Sequence, residues 1–140
     1  QTINTSTGLG GAPIGVATPS LGTVNPDDTL LVSADVLYQY LSATSQSAFY
    51  FAILIAHAGG TLAMQDTFPA PIELDTKRYH VGRTFAIRMD PLIVTAPLAG
   101  VTVNLRAVIQ PIQAGSSLVI PINGAHVAAT VVRHSGGAAL

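Results

Sequence analysis

Residues Phe49 to Ala58 read FYFAILIAHA, a stretch in which His57 is the single clearly polar side chain. In an extended strand, successive side chains point to opposite faces. Alternation therefore gives two apolar sets: Phe49, Phe51, Ile53 and Ile55 on one face, and Tyr50, Ala52, Leu54 and Ala56 on the other. An antiparallel strand commonly keeps one face in water, so both faces of this strand need cover.

A second sheet covers one face of such a strand at a spacing of about 10 Å. For the other face we predict a sister subunit, because burying each large side chain supplies roughly 1.5–3 kcal/mol. The predicted subunit interface consists of Phe49, Tyr50, Phe51, Leu54 and His57. The alternative is cover within one chain by the N-terminal segment, which is apolar at Ile14, Val16 and Leu21.

The composition favours a single associating domain. The chain has 140 residues, 49% of them hydrophobic, which suits one packed core. Charged residues make up 9%, against about 25% in an average globular protein, so repulsion between copies is weak. A net charge of −1 with six scattered basic residues argues against a nucleic-acid partner. With no cysteine, neither a disulfide framework nor a thiolate metal site is expected.

Targeting signals are not apparent in this sequence. The apolar runs are shorter than the roughly 20 residues of a membrane-spanning helix, so we expect no membrane insertion. A basic segment followed by an apolar one, as in a signal peptide, is not recognisable. The sequence begins at Gln1, from which we expect a processed chain or a piece of a longer one.

Turn-forming residues divide the chain into an arm, a β-domain and a tail. Residues 1–23 are rich in Gly, Thr and Pro and predict an extended arm or linker. Residues 24–135 predict the β-domain, which opens with the turn VNPDD, and residues 136–140 a flexible tail. Strands are predicted at 30–40, 49–58, 61–68, 83–89, 92–97 and 101–110, followed by a closing hairpin of 117–122 and 125–134 around Asn123-Gly124. About eight strands with frequent turns indicate an all-β antiparallel sandwich or barrel.

The order of these segments resembles the trimeric jelly roll of the tumour-necrosis-factor and complement-globular-head type. The resemblance lies in FYFAILIAHAGG, a charged loop before YHVGRTFAIRM, the glycine-led strand GVTVNLRAVI and the ending GAHVAATVVRHS. Phage and viral fibre knobs and the tips of spore-surface collagen-like filaments are similar. The likeness extends over about residues 28–135. It implies a two-sheet jelly-roll sandwich assembled as a homotrimer around a threefold axis, with a stalk entering at the arm.

Residues able to carry chemistry are few and scattered. His57, His80, His126 and His134 lack the spacing of a metal site, and we predict that they are hydrogen-bonded histidines. Calcium ligation by Asp27, Asp28 and Asp66 is an alternative to turn formation by the first two. Neither paired carboxylates nor a Gly-x-Ser-x-Gly elbow is recognisable. We expect no enzyme, no cofactor and no metal.

One charged stretch, ELDTKRYHVGR at 73–83, is predicted to be a loop that binds a ligand. Its candidate residues are Asp75, Lys77, Arg78, Tyr79 and His80. Tyr79 would stack on a sugar ring while the polar groups bond hydroxyls or an acidic group. The alternative is a solvated loop. For Arg88, Arg106 and Arg133 we predict ion pairs with Asp35 or Asp90 at subunit contacts.

These features lead to three hypotheses of function. The first is a non-enzymatic trimeric knob of a viral or phage fibre or spike, located on the virion surface or extracellular, that binds a host-surface glycan or protein receptor through avidity. The second is a structural shell component: a capsid, decoration or spore-surface protein without a recognition site. The third is a lectin-like module of a cellular protein.

Overall fold

The computed structural model describes residues 2–4, 12–15, 18–42, 47–69, 78–111 and 117–134 of the chain. Ten β-strands lie in these ranges. They are β1 (Thr2–Asn4), β2 (Ala12–Pro13), β3 (Ser20–Val24), β4 (Thr29–Ser42), β5 (Ser47–His57), β6 (Gly60–Pro69), β7 (Arg78–Arg88), β8 (Leu98–Pro111), β9 (Ser117–Val119) and β10 (Ala125–Val132). Across the same ranges, no helix has the length and apolarity needed to cross a membrane.

The strands form two antiparallel sheets. In sheet A, β4 lies between β7 on one side and β9 and β10 on the other, and β1 pairs with β9. In sheet B, β5 lies between β6 and β8, while β2 and β3 pair with the far edge of β8. The chain changes sheet between β1 and β2, β3 and β4, β4 and β5, and after each of β6, β7 and β8. The fold is therefore all-β, a two-sheet jelly-roll sandwich as predicted.

Alternate residues of the central strands form the core between the sheets. At most 2% of each of these residues is exposed: Leu30, Val32, Ala34, Val36 and Tyr38 in β4, Phe51, Ile53 and Ile55 in β5, and Val101, Val103, Leu105 and Ala107 in β8. The rings of Tyr38 and Phe51 meet across the core with centroids 5.7 Å apart. These residues confirm the predicted inward faces. The side chains of Tyr40, Phe49 and Ile109 lie outside the described part.

The described residues of the N-terminal segment belong to the sandwich. β2 pairs with residues 106 and 107 of β8, and the Ile14 N–H donates to the Leu105 carbonyl at 2.9 Å. Ile14, 6% exposed, joins the core, and β3 spans the predicted boundary at residue 23. The segment thus extends the edge of sheet B and, in its described residues, does not cross the outer face of β5. Val16 lies outside the described residues.

The predicted closing hairpin is wrong. β9 and β10 do not pair with each other; they pair in succession with the same edge of β4 and run in the same direction. Between them the chain leaves the edge of β4 in a tight turn. In this turn Asn123 has a φ of 60°, and the Gly124 N–H donates to the Pro121 carbonyl at 2.9 Å. The Gly124 carbonyl then accepts from Leu37, which returns the chain to β4. A turn signal indicates a bend, but not which strand the chain pairs with afterwards.

Two further predictions around β7 need correction. The predicted loop overlaps β7, which begins at Arg78, because residues 78–82 pair with β4. Residues 92–97 form a turn and not a strand. There the side chain of Asp90 accepts from the Leu92 N–H and its carbonyl accepts from Ile93 and Val94, so local hydrogen bonds replace a sheet partner. Val94, 2% exposed, anchors this turn in the core.

Candidate functional site

The predicted subunit interface divides between the two faces of β5. Phe51 has no exposed surface and packs in the core, so it has nothing left to bury against another subunit, which corrects the prediction for this residue. Tyr50, Leu54 and His57 are half-buried. The side chain of Phe49 lies outside the described part. For the three half-buried residues the interface stays a prediction.

Tyr50 and Leu54 lie on the outer face of sheet B, whereas His57 alternates with Phe51 and Ile55 and has the parity of the core face. We define the outer face by its half-buried members: Tyr50, Leu54 and Ala56 of β5, and Thr102, Asn104 and Arg106 of β8. Ala52 at its centre is 2% exposed and stands opposite Arg106 in the strand register. Asn104 donates to the Leu54 carbonyl and to Thr102 at 3.5 and 3.4 Å. The surface is thus largely uncharged, with apolar groups that keep part of their area in water.

Of the predicted ligand residues, the three that the structure describes do not share one face. Asp75 and Lys77 lie outside the described residues. Arg78, Tyr79 and His80 are consecutive in β7, so their side chains alternate between faces. The ring of Tyr79 stacks on Tyr38 with centroids 5.8 Å apart and is directed to the core, whereas Arg78 and His80 are exposed on the outer face of sheet A.

His80 belongs instead to a three-residue group that we call the histidine cluster: Asp35 on β4, His80 on β7 and His126 on β10. One oxygen of Asp35 lies 3.2 Å from Nε2 of His80 and 3.1 Å from Nδ1 of His126. A carboxylate only accepts, so each imidazole donates an N–H to it. The side chains are 40%, 62% and 65% exposed, which leaves the cluster open to solvent.

The surroundings of Asp35 favour its charged form. Burial raises the pKa of its carboxyl, but hydrogen bonds from His126 and His80, with their charge, outweigh that and hold the pKa below 3.8. Gly82 stands opposite Asp35 in the register, and a Cβ there would lie 3.2 Å from the Asp35 Cβ. A glycine at 82 therefore leaves room for the carboxylate between the two rings.

This cluster was not predicted from the sequence, because the partners of Asp35 are 45 and 91 residues away along the chain. The spacing of these residues in the sequence does not indicate that their side chains are in contact. The one available signal was positional: Asp35 stands in the polar half of an alternating strand, and so do His80 and His126. Only the strand register brings them together.

A second polar group ties together the chain at the other end of sheet A. Asp28, 1% exposed, accepts from the N–H groups of Asn25 and His134 at 2.9 and 3.0 Å and from Arg133 at 2.8 Å. Burial raises its pKa, but these three hydrogen bonds and the Arg133 charge hold it below 3.8. The predicted turn at Asp27 and Asp28 is thus confirmed.

Two arginines have other partners than those predicted. Arg88 pairs with Asp27, and Arg133 pairs with Asp28, both within one chain and not with Asp35 or Asp90. Arg133 also donates to the Thr23 carbonyl at 2.9 Å. These pairs hold the end of β10 and the end of β7 against the turn that precedes β4, which makes them structural.

All four histidines are hydrogen-bonded, as predicted. His134 lies 3.1 Å from Asp27, and Nδ1 of His57 accepts from the Gly59 N–H at 3.1 Å. The other two belong to the histidine cluster. No group of three or more acidic or histidine side chains arranged to hold a metal ion occurs in the described ranges. The side chain of Asp66, an alternative calcium ligand, lies outside them.

Comparisons with known proteins found similarity at the level of structure. No protein-family model and no curated protein matches the sequence. Among solved structures, the T13 IBDV viral particle and the infectious bursal disease virus VP2 subviral particle each match with 16% identity and a TM-score of 0.49 over 96% of this chain. The structure of the infectious bursal disease virus Gt strain matches with 16% identity and a TM-score of 0.49 over 99%. The chain spans less than a third of the length of these proteins.

Proposed function

We propose that this chain is a non-enzymatic head domain of a virion fibre or spike, which assembles as a homotrimer and attaches the particle to a host surface. Subunits pack through the outer face of sheet B. The head acts by avidity, because three weak sites on one rigid body bind a repetitive surface much more tightly than one.

The observation that carries the proposal is the second side of β5. Tyr50 and Leu54 are half-buried within one chain, so part of each side chain remains exposed. Each large side chain buried against a neighbour contributes roughly 1.5–3 kcal/mol. With 9% charged residues in the chain, little electrostatic repulsion opposes the contact.

The described N-terminal residues pair within their own chain. An arm that exchanges between subunits is what a shell of interlocked copies needs. Here β2 pairs with β8 of the same chain, and Ile14 fills the chain's own core. The described residues of the N-terminal segment therefore make their pairing and packing contacts within one chain.

Static light scattering tests the assembly. We expect a mass about three times the 14.4 kDa of one chain. Leu54→Lys places a charge on the outer face of sheet B and should give monomers with an unchanged circular dichroism spectrum. The matched control is Leu31→Lys on the outer face of sheet A, where Leu31 is 42% exposed, and it should stay trimeric. A monomeric wild-type chain, or loss of the trimer in the control alone, would overturn the proposal.

A glycan array probed with the intact trimer tests attachment. Binding to host polysaccharides that is lost in the monomeric Leu54→Lys variant supports avidity as the mechanism. Silence across the array, together with a confirmed trimer, would favour the structural shell role.

A further inference from the structure

The turn that joins β7 to β8 exposes two large apolar side chains in succession. Leu92 is 89% exposed and Ile93 is 54% exposed. The next residue, Val94, is 2% exposed and packs in the core. We call residues 91–93 the apolar turn. Exposed apolar groups that lie side by side, unlike single ones, indicate a contact with another molecule.

Hydrogen bonds hold these side chains outside the core. The Asp90 carboxylate accepts from the Leu92 N–H at 2.9 Å. The carbonyl of the same residue accepts from Ile93 and Val94 at 2.8 and 2.7 Å. On the other side Met89 has no exposed surface and exchanges two backbone hydrogen bonds of 2.7 Å with residues 27 and 28. Buried residues therefore anchor the apolar turn at both ends, and its exposure is a property of the fold.

Charged side chains are absent from this part of the sequence. Residues 91–105, PLIVTAPLAGVTVNL, contain no Asp, Glu, Lys, Arg or His. Residues 58–60, between β5 and β6, are exposed as well and consist of Ala and Gly. The Ala58 N–H donates to the Ala99 carbonyl at 2.9 Å, which joins this turn to the segment that follows the apolar turn. These residues can leave water without the cost of desolvating an ion.

The backbone donors of the apolar turn already have acceptors within the chain. Pro91 has no N–H, and the three residues after it donate to Asp90. In the turn between β5 and β6, the Gly59 N–H donates to Nδ1 of His57 at 3.1 Å. Hydrocarbon offers no hydrogen-bond acceptor, so an unpaired N–H is costly there. Donors that are satisfied internally therefore suit contact with lipid, whereas a protein partner could supply acceptors of its own.

We propose that the apolar turn is a membrane-contact site, whose Leu92 and Ile93 side chains enter the headgroup region of a lipid bilayer. The inference rests on the proposed attachment function, to which it adds the lipid of the host surface as a partner. Zwitterionic lipid is sufficient, because the turn has no basic side chain and Arg88, the nearest in the sequence, is paired with Asp27. The contact is interfacial and needs no membrane-spanning helix.

A tryptophan placed in the turn reports the contact, since the chain has none of its own. With phosphatidylcholine vesicles, the fluorescence of Leu92→Trp should shift to the blue and be quenched by brominated acyl chains. The matched control is Ile122→Trp, because Ile122 is 92% exposed in a turn that bonds to Leu37, away from the start of β4 where β7 ends. The control should keep its emission in water. The site is overturned if both variants shift or if neither does.

Sedimentation of the wild-type chain with the same vesicles is the second measurement, because tryptophan itself favours membrane interfaces. We expect binding that changes less than about twofold between about 0.05 and 0.5 M salt, since ion pairing does not contribute. Leu92→Asp with Ile93→Asp should weaken binding by about tenfold or more. Ile122→Asp should bind as wild type. Full binding by the double variant, or a steep fall with salt, contradicts the proposal.

Light scattering without lipid separates this site from the proposed function. If the double variant loses an oligomer and the wild type ignores vesicles, the apolar turn contacts a second copy of the chain and the membrane site is refuted. A trimer that does not bind vesicles refutes only the membrane site. A monomer that binds them through Leu92 and Ile93 refutes only the trimeric head.

Discussion

Asp28→Asn is the sharpest single test of how this fold is held together. The substitution keeps the shape of the side chain but replaces one acceptor oxygen by an NH2 group. In the folded chain one oxygen of Asp28 accepts from Asn25 and Arg133, and the other accepts from His134. Whichever way the amide turns, a donor faces at least one N–H at a site that is 1% exposed.

The expected loss follows from those contacts. A hydrogen bond to a charged group contributes about 1.5–3 kcal/mol, and a buried donor left without an acceptor costs about 1–3 kcal/mol. Arg133 keeps a neutral acceptor at best and stays partly solvated, with 53% of its side chain exposed. We therefore expect the free energy of unfolding to fall by about 3 kcal/mol.

Urea unfolding followed by circular dichroism measures this loss. With an m-value of about 2 kcal/mol/M, the midpoint should move down by about 1.5 M. Asp27→Asn is the matched control, because asparagine tolerates the positive φ of 72° at that position and a surface ion pair contributes only about 0–1 kcal/mol. The reasoning is refuted if the free energy of unfolding of Asp28→Asn lies within about 0.5 kcal/mol of the wild-type value, which is less than one hydrogen bond to a charged group contributes. It is also refuted if the control loses as much stability as Asp28→Asn. In either case the buried carboxylate is not what holds β10 against the turn.

Three further changes have expected outcomes. Acid titration from pH 5 to 2.5 should lower the free energy of unfolding: Asp28 and Asp35 have folded pKa values below the ordinary 3.8, so their contribution is complete above that pH and is lost as the pH falls through the folded values. Asp28→Asn should flatten that dependence in urea titrations. Gly124→Ala should cost about 1–3 kcal/mol in thermal melts, because its Cβ would lie 2.8 Å from the Pro121 carbonyl oxygen; a neutral result would mean that the turn yields easily. Phe51→Ala should cost about 3–5 kcal/mol, and a smaller loss would indicate that the core collapses around the gap.

Alternation along each strand was enough to predict the core. In β4 and β8 the described residues predicted to face inward are at most 2% exposed. Side chains of one face must leave water together, and a period of two records that requirement directly in the sequence. The same logic identified the two apolar sides of β5, of which one proved to be core and the other half-buried surface.

Pairing could not be predicted in the same way. The Asn123-Gly124 turn suggested a hairpin, but β10 pairs with β4, which lies about 90 to 100 residues earlier in the chain. Arg78 to Gly82 resembled a loop because of their charge, yet β4 is long enough to pair with them. The composition of a segment is a local property, whereas a strand forms only when a neighbouring strand supplies its hydrogen-bonding partners.

The sequence by itself determined that this protein is an antiparallel all-β domain with few charges, and which residues of its central strands face the interior, because burial imposes a periodic pattern on the chain. The tertiary structure alone decided that Asp35 meets His80 and His126, and that Asp28 meets Arg133. Those contacts depend on strand register, which is set by the packing of the whole sandwich and leaves no local pattern in the residues that it brings together.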